Sequence, residues 1–172
     1  MLKRKKEDKM RVSIVMGSYS DKEVAFDVIE LLKEFEIEYD VVVYSAHRTP
    51  HEVVNYVKDA EEKGAEVFIS IAGKAAHLGG VIASHTTKPV IGVPVKTSIG
   101  GGIDSLLSTV QMPSGVPVAS VAIQGGKNAG ILAAQILSVG DPAMTERLLR
   151  YKEKLHADVD EMNRKLKEDL RG

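Results

Sequence analysis

The chain of 172 residues has no cysteine and no tryptophan, and only 5% of it is aromatic. Without cysteine there is no disulfide, no thiol nucleophile and no thiolate metal site, a composition that suits a reducing cytoplasm. So few aromatic rings leave little for a base-stacking surface. An excess of one charge is missing as well. A formal net charge of −1 gives no general attraction to nucleic acid or to an anionic membrane, and neither is expected as a partner. No apolar run approaches the length of a transmembrane helix. His47, His51, His77, His85 and His156 show no ligand-like spacing with carboxylates, so no metal is expected. A Gly-x-Ser-x-Gly elbow of the hydrolase type is also lacking.

What the chain does have is a regular alternation of short apolar strands and amphipathic helices. Strands are expected at Val12 to Met16, Asp40 to Ser45, Glu66 to Ile71, Pro89 to Val93 and Val118 to Ile123. Helices are expected at Asp21 to Phe35, Pro50 to Lys63, Ala75 to His85, Ser105 to Gln111 and Ala129 to Val139. Strands joined through helices of this length make right-handed crossovers, hence a parallel sheet covered on both faces. Near-continuous apolar strands agree with burial on both sides. The predicted fold is α/β, a flavodoxin-like three-layer sandwich with a five-stranded parallel sheet and a long C-terminal helix. Residues 1–10, basic and acidic in alternation and without the apolar core of a signal peptide, read as a solvated tail. Residues 11–140 read as the catalytic domain, and 141–172 as a helix that forms an oligomer or packs back on the domain. Its apolar stripe (Met144, Leu148, Tyr151, Leu155, Val159, Met162, Leu166) outlasts the sheet, which favours a subunit partner.

In a parallel sheet all strand-to-helix loops open on one edge, and ligands bind there. The second such loop, Ser45-Ala46-His47-Arg48-Thr49-Pro50, carries the most chemistry. Thr49 suits an N-cap and Pro50 the first helical position. His47 and Arg48 have no comparable packing reason, and together they suggest a proton-transfer group beside a cation for an anionic substrate. The first loop, Gly17-Ser18-Tyr19-Ser20-Asp21, reads two ways: as an anion cradle, or as a capping box of Ser20 with Glu23 and an N-cap at Asp21. The third, Gly73-Lys74-Ala75-Ala76-His77-Leu78, has small residues that admit a ligand, or else a closely packed helix entry with His77 bonded to backbone. The fourth is glycine-rich (Gly100 to Gly102) and reads as a lid, with Asp104 or Ser105 as a helix cap. His85 and Lys88 read as helix-end charge.

Met16-Gly17-Ser18-x-Ser20-Asp21, Ser45 to Pro50, Ala75-Ala76-His77-Leu78, Pro89 to Val95, Asp104 to Pro113 and Ala133 to Leu137, in that order, closely resemble the PurE family of purine biosynthesis. The resemblance runs from about Val12 to Leu137. It implies a 5-(carboxyamino)imidazole ribonucleotide mutase, an isomerase that moves a carboxylate from the exocyclic nitrogen to a ring carbon. It assigns Ser18, Ser20, Ser45 and Arg48 to the ribonucleotide phosphate, Asp21 to the ribose hydroxyls and His47 to the proton shuttle. Gly73, Lys74, Ala75, His77 and Leu78 would line the imidazole and carboxylate pocket. It also implies a homo-octamer whose terminal helix reaches neighbouring subunits, and no metal or organic cofactor. Three positions depart from the family's mutases: Lys74 and Gly79, where Gly and Pro are usual, and Lys22, where a Trp often follows the Ser-x-Ser-Asp. The related carboxylases, which use free CO2, tend to be basic near Lys74, so such a carboxylase is the alternative. A non-catalytic nucleotide- or flavin-binding module on the same fold is a further one.

Overall fold

The computed structural model describes residues 11–171; the expected tail at 1–10 lies outside the described residues. In chain order the elements are β1 (Arg11–Met16), a 3-10 turn (Tyr19–Asp21), α1 (Lys22–Glu34), β2 (Glu38–Val43) and α2 (Pro50–Glu62). They continue with β3 (Ala65–Ala72), α3 (Leu78–Ala83), β4 (Val90–Pro94) and α4 (Ile103–Val110). The last are β5 (Ala119–Ser120), α5 (Gly126–Ser138) and α6 (Pro142–Asp169). The five strands form one parallel sheet in the order β2-β1-β3-β4-β5.

Alternation along the central strands sorts the core onto two faces. Val12, Ile14 and Met16 of β1 join Val67, Ile69 and Ile71 of β3 under α1 and α5. Val15, Phe68 and Ala72 turn the other way, onto Val53 and Val57 of α2 and Leu78 and Ile82 of α3. On the first face α5 approaches α1 through Gly126, Ala129, Gly130 and Ala133, all buried.

The expected strands and helices are present, with four shifts that have physical causes. The sequence predicts the second strand at Asp40 to Ser45, buried on both faces. β2 instead pairs from Glu38 through Val43 along β1 and lies at the sheet edge, which leaves Val41 and Val43 exposed. The fifth strand shrinks to two residues, held only where Ala119 and Ser120 meet Ile91 and Gly92. α3 starts at Leu78 rather than Ala75, because Lys74 takes a left-handed backbone (φ 57°) and residues 74–77 form a turn. α4 starts at Ile103 behind Gly102 (φ 113°), so neither Asp104 nor Ser105 is its cap. The Ser105 hydroxyl lies 2.7 Å from the carbonyl of Val95 and 2.8 Å from that of Gly102, binding α4 to the end of β4.

α6 is 28 residues, about 42 Å long. Asp141 caps it, its carboxylate accepting from the amides of Ala143 and Met144. The first half packs back on the domain through Met144, Leu148 and Tyr151, the last edge-on to Phe35 at 5.4 Å. Arg147 and Lys154 bridge to Glu36 and Glu34 at 2.7 and 3.2 Å. Beyond that, Leu155, Val159, Met162, Leu166 and Leu170 are exposed.

Candidate active site

Between β1 and β3 the chain leaves the sheet in opposite directions, to β2 on one side and β4 on the other. Loops diverging from such a switch point open a crevice. Here it is a cleft of about 630 Å³, walled by Gly17, Ser18, Ser20 and Asp21 from the first loop and Ser45 to Arg48 from the second. Gly73, Lys74, Ala75 and Leu78 from the third loop and Lys96 to Ser98 from the fourth complete it.

The second loop is braced by its own side chains. Thr49 sits at the cap position before Pro50, but its hydroxyl does not cap α2. It accepts from the Ser45 amide at 2.8 Å and reaches the Ser45 carbonyl at 3.1 Å, while the Ser45 hydroxyl accepts from the Arg48 amide at 3.2 Å. The Arg48 guanidinium donates to the carbonyl of Gly17 at 3.2 Å, which ties the second loop to the first. One such bond leaves most of the guanidinium's five N–H donors for an anion.

In the first loop the capping box does not form. Ser18, not Ser20, caps the 3-10 turn, its hydroxyl accepting from the Ser20 amide at 3.3 Å. The Ser20 hydroxyl stands 2.9 Å from Ser18 Oγ and 3.0 Å from a carboxylate oxygen of Asp21. Asp21 precedes α1 yet makes no side-chain cap bond, and it is buried with 8% exposure. Burial pushes its carboxyl above the usual carboxylate range, and hydrogen bonds from Ser20 and the Ser18 backbone offset only part of that. Because the folded-state pKa exceeds the unfolded one, the folded chain binds more protons between the two values. Stability therefore falls as pH rises through that window, starting just above 3.8. Asp21→Asn is expected to remove this pH slope and to leave the fold at least as stable at pH 7, while weakening the ligand. Urea titrations of both proteins across pH 3 to 7 check it, and a steeper slope in the variant would refute it.

His47 lies on the cleft wall, and its Nε2 is 2.9 Å from Nδ1 of His77 with the rings edge to face. His77 is not itself on that wall. It lines a second cleft of about 650 Å³ with Val81, Leu107 and Met112, and reaches the first through His47. The other expected residues, Ser18, Ser20, Asp21, Ser45, Arg48, Gly73, Lys74, Ala75 and Leu78, all come together on the one cleft. Gly73 is a glycine that packing does not demand, since an added Cβ would make only ordinary contacts with Val95 and Thr97. Gly79, by contrast, brings α3 close to β3: a Cβ there would stand 2.7 Å from Ser70 Oγ. His85 bonds only near its own helix end, to Val81 and Ser84.

Lys96, Thr97 and Ser98 were not among the expected site residues. Gln124 Oε1 accepts from the Lys96 amide at 2.9 Å, and the Thr97 hydroxyl donates to Asp104 at 2.5 Å, so both ends of this wall are pinned. Its only sequence signal was the place of the loop after β4, which the glycines beyond it obscured. Arg48, Lys74 and Lys96 give the cleft three cations against the one carboxylate of Asp21. Among the described residues, no three His, Asp or Glu side chains gather to hold a metal ion. The arrangement can bind an anion and move a proton beside it.

Lys74 needs its own account. Three non-glycine residues among those described have positive φ: Glu36, Lys74 and Gln124. Glu36 closes α1, with its amide on Lys33 and that of Ile37 on Leu32, so a helix end explains it. Gln124 pins Lys96. Lys74 ends no helix, and its backbone costs about 1–2 kcal/mol relative to an ordinary conformation.

The chain is similar to known proteins over most of its length. The family model described as AIR carboxylase matches residues 11–158. An N5-carboxyaminoimidazole ribonucleotide mutase of Thermotoga maritima is 53% identical over 158 residues, 92% of each chain. One of Pyrococcus horikoshii is 50% identical over 163 residues, 95% of this chain and 92% of that one. The crystal structure of Treponema denticola PurE superposes with a TM-score of 0.85 at 34% identity, covering 92% of this chain and 99% of that one. With the family model spanning both the cleft and the first half of α6, the chain belongs to the AIR carboxylase family.

Proposed function

We propose that this protein is an N5-carboxyaminoimidazole ribonucleotide mutase acting in purine biosynthesis. The observation that carries the reading is a single cleft that sets His47 beside Arg48, Ser18 and Ser20, in a chain half identical to proteins of that name. Arg48 and the hydroxyls of Ser18, Ser20 and Ser45 hold the phosphate, and the Asp21 carboxylate accepts from the ribose hydroxyls. The 73–78 loop faces the imidazole, with Gly73 leaving room for the ring.

In the reaction the bond between exocyclic nitrogen and carboxylate breaks, releasing CO2 inside the cleft. Protonated His47 gives its proton to that nitrogen. The ring carbon then attacks the confined CO2, and His47 takes the proton this carbon loses. Protons balance over the cycle, so one histidine suffices as donor and acceptor. Its contact with His77 holds the imidazole in place through Nε2. Holding CO2 against the ring replaces a bimolecular encounter by an internal one, which supplies the part of the acceleration that acid–base catalysis does not.

The test is to offer the purified protein either the carbamate ribonucleotide, or the uncarboxylated ribonucleotide with bicarbonate, and to follow the carboxylated product. Rapid turnover of the carbamate is expected. Turnover only of the second pair would establish the carboxylase instead, and turnover of neither a binding module. The protein acts in the cytoplasm as a homo-octamer, the exposed stripe from Leu155 to Leu166 lying against neighbouring subunits. Sedimentation at micromolar concentration is expected to give eight subunits, and a monomer would overturn that assembly.

A further inference from the structure

We propose that Lys74 is a specificity-determining residue that holds the carboxylate of the carboxylated ribonucleotide, at the opposite side of the cleft from the phosphate. The inference rests on the reading of the cleft as a ribonucleotide site and adds to it a second anion subsite. Sheet order supplies the first reason. Arg48 follows β2 and is tied to Gly17 after β1, whereas Lys74 follows β3 and Lys96 follows β4. The cations are thus divided across the switch point, and a ligand that meets both sides carries negative charge at both ends. A ribonucleotide phosphate accounts for one end only.

Backbone conformation is the second reason. Glycine would occupy φ 57° without cost, and the flanking residues Gly73 and Ala75 show how small this loop otherwise is. A lysine there gives up stability and puts an exposed cationic side chain at the wall of the cleft. Among the described residues it has no carboxylate partner, so nothing in the fold uses its charge. Strain kept at a ligand wall, with an unspent cation on it, points to a ligand group of opposite sign. Lys96 faces the same side, but its backbone is held by Gln124 and its conformation calls for no explanation.

An ammonium that meets the carboxylate of carbamate and product stabilises those ground states, and the charge it meets is lost as CO2 leaves, so its removal is read as weaker affinity and not as slower turnover. The experiment measures, by calorimetry, binding of the 4-carboxylated aminoimidazole ribonucleotide and of its uncarboxylated counterpart to wild type, Lys74→Met and Lys74→Gly. The carboxylated ligand is expected to lose roughly 10- to 100-fold in affinity in both variants, the scale of one charge-assisted hydrogen bond, with the uncarboxylated ligand unchanged. KM for the carbamate should rise in parallel, with kcat no lower than that of wild type. Lys74→Gly should also melt higher than wild type, which separates loss of the charge from loss of the fold. If both variants keep the wild-type preference for the carboxylated ligand, Lys74 does not hold the carboxylate and the inference fails alone. If wild type binds neither ribonucleotide, the reading of the cleft fails and takes this inference with it.

Discussion

His47→Asn is expected to cut turnover of the carbamate ribonucleotide by about 10²- to 10⁴-fold while leaving its affinity within a few fold of wild type. Asparagine keeps a polar atom at the place of the ring's Nδ1 but is too short to reach where Nε2 meets His77, so that one link is lost. Nor can it take up and release a proton near neutral pH. The loop geometry does not depend on the imidazole, because Thr49 and Ser45 brace it from within and Arg48 anchors it to Gly17. Phosphate binding therefore survives while chemistry does not. Steady-state rates with the carbamate, beside calorimetric binding of the product, separate the two. Near-normal turnover would remove His47 from the reaction, and loss of binding along with turnover would mean that it shapes the cleft.

Gly126→Ala should have the largest effect on the fold. An added Cβ would stand 2.4 Å from the backbone oxygen of Val24 and 2.8 Å from Asp27 Cβ, far inside contact distance. Neither atom can rotate away, since both belong to or adjoin the α1 backbone. Four residues on, the helices are as close, since a Cβ at Gly130 would stand 2.9 Å from Leu31 Cβ, so there is no slack nearby to absorb the clash. Overpacking of this kind costs about 1–3 kcal/mol, and each kcal/mol lowers the melting temperature of a chain this long by about 2–4 °C. Thermal unfolding checks it: an unchanged melting temperature would mean that α1 and α5 are not packed this closely. Asp21 stands where α1 begins, so the same variant is expected to bind the ribonucleotide more weakly even below its melting point.

The central layers of the fold were legible because β1 and β3 are buried on both sides and read as unbroken apolar runs. Val41 to Val43 has the same composition and gave the same reading, yet it is an edge. Composition reports the appetite of a strand for burial, whereas its neighbours are decided by topology. The short β5 shows the same limit, since its apolar residues continue past the two that have a partner strand. In the site, Gly17 to Asp21, Ser45 to Arg48 and most of Gly73 to Leu78 were visible as polar or small residues at strand ends. Lys96 to Ser98 escaped because their contribution depends on Gln124 and Asp104, which meet them only in the folded chain. Side-chain direction was equally hidden: nothing in Ala75-Ala76-His77 says that the imidazole faces His47 from the second cleft.

The edge position of β2 has a consequence for how this protein fails. His47 and Arg48 hang from the strand with a single neighbour, at the end that continues into one short hydrogen-bonded loop. Opening free energies differ across a structure and are lowest where fewest neighbours must be released. Detachment of β2 with its loop would carry His47 and Arg48 out of the cleft while β1, β3 and β4 stay paired. Heat inactivation would then be a local and reversible event that precedes melting, and a bound ribonucleotide, by stitching Arg48 to the first loop, would protect activity at temperatures where the core has no need of it.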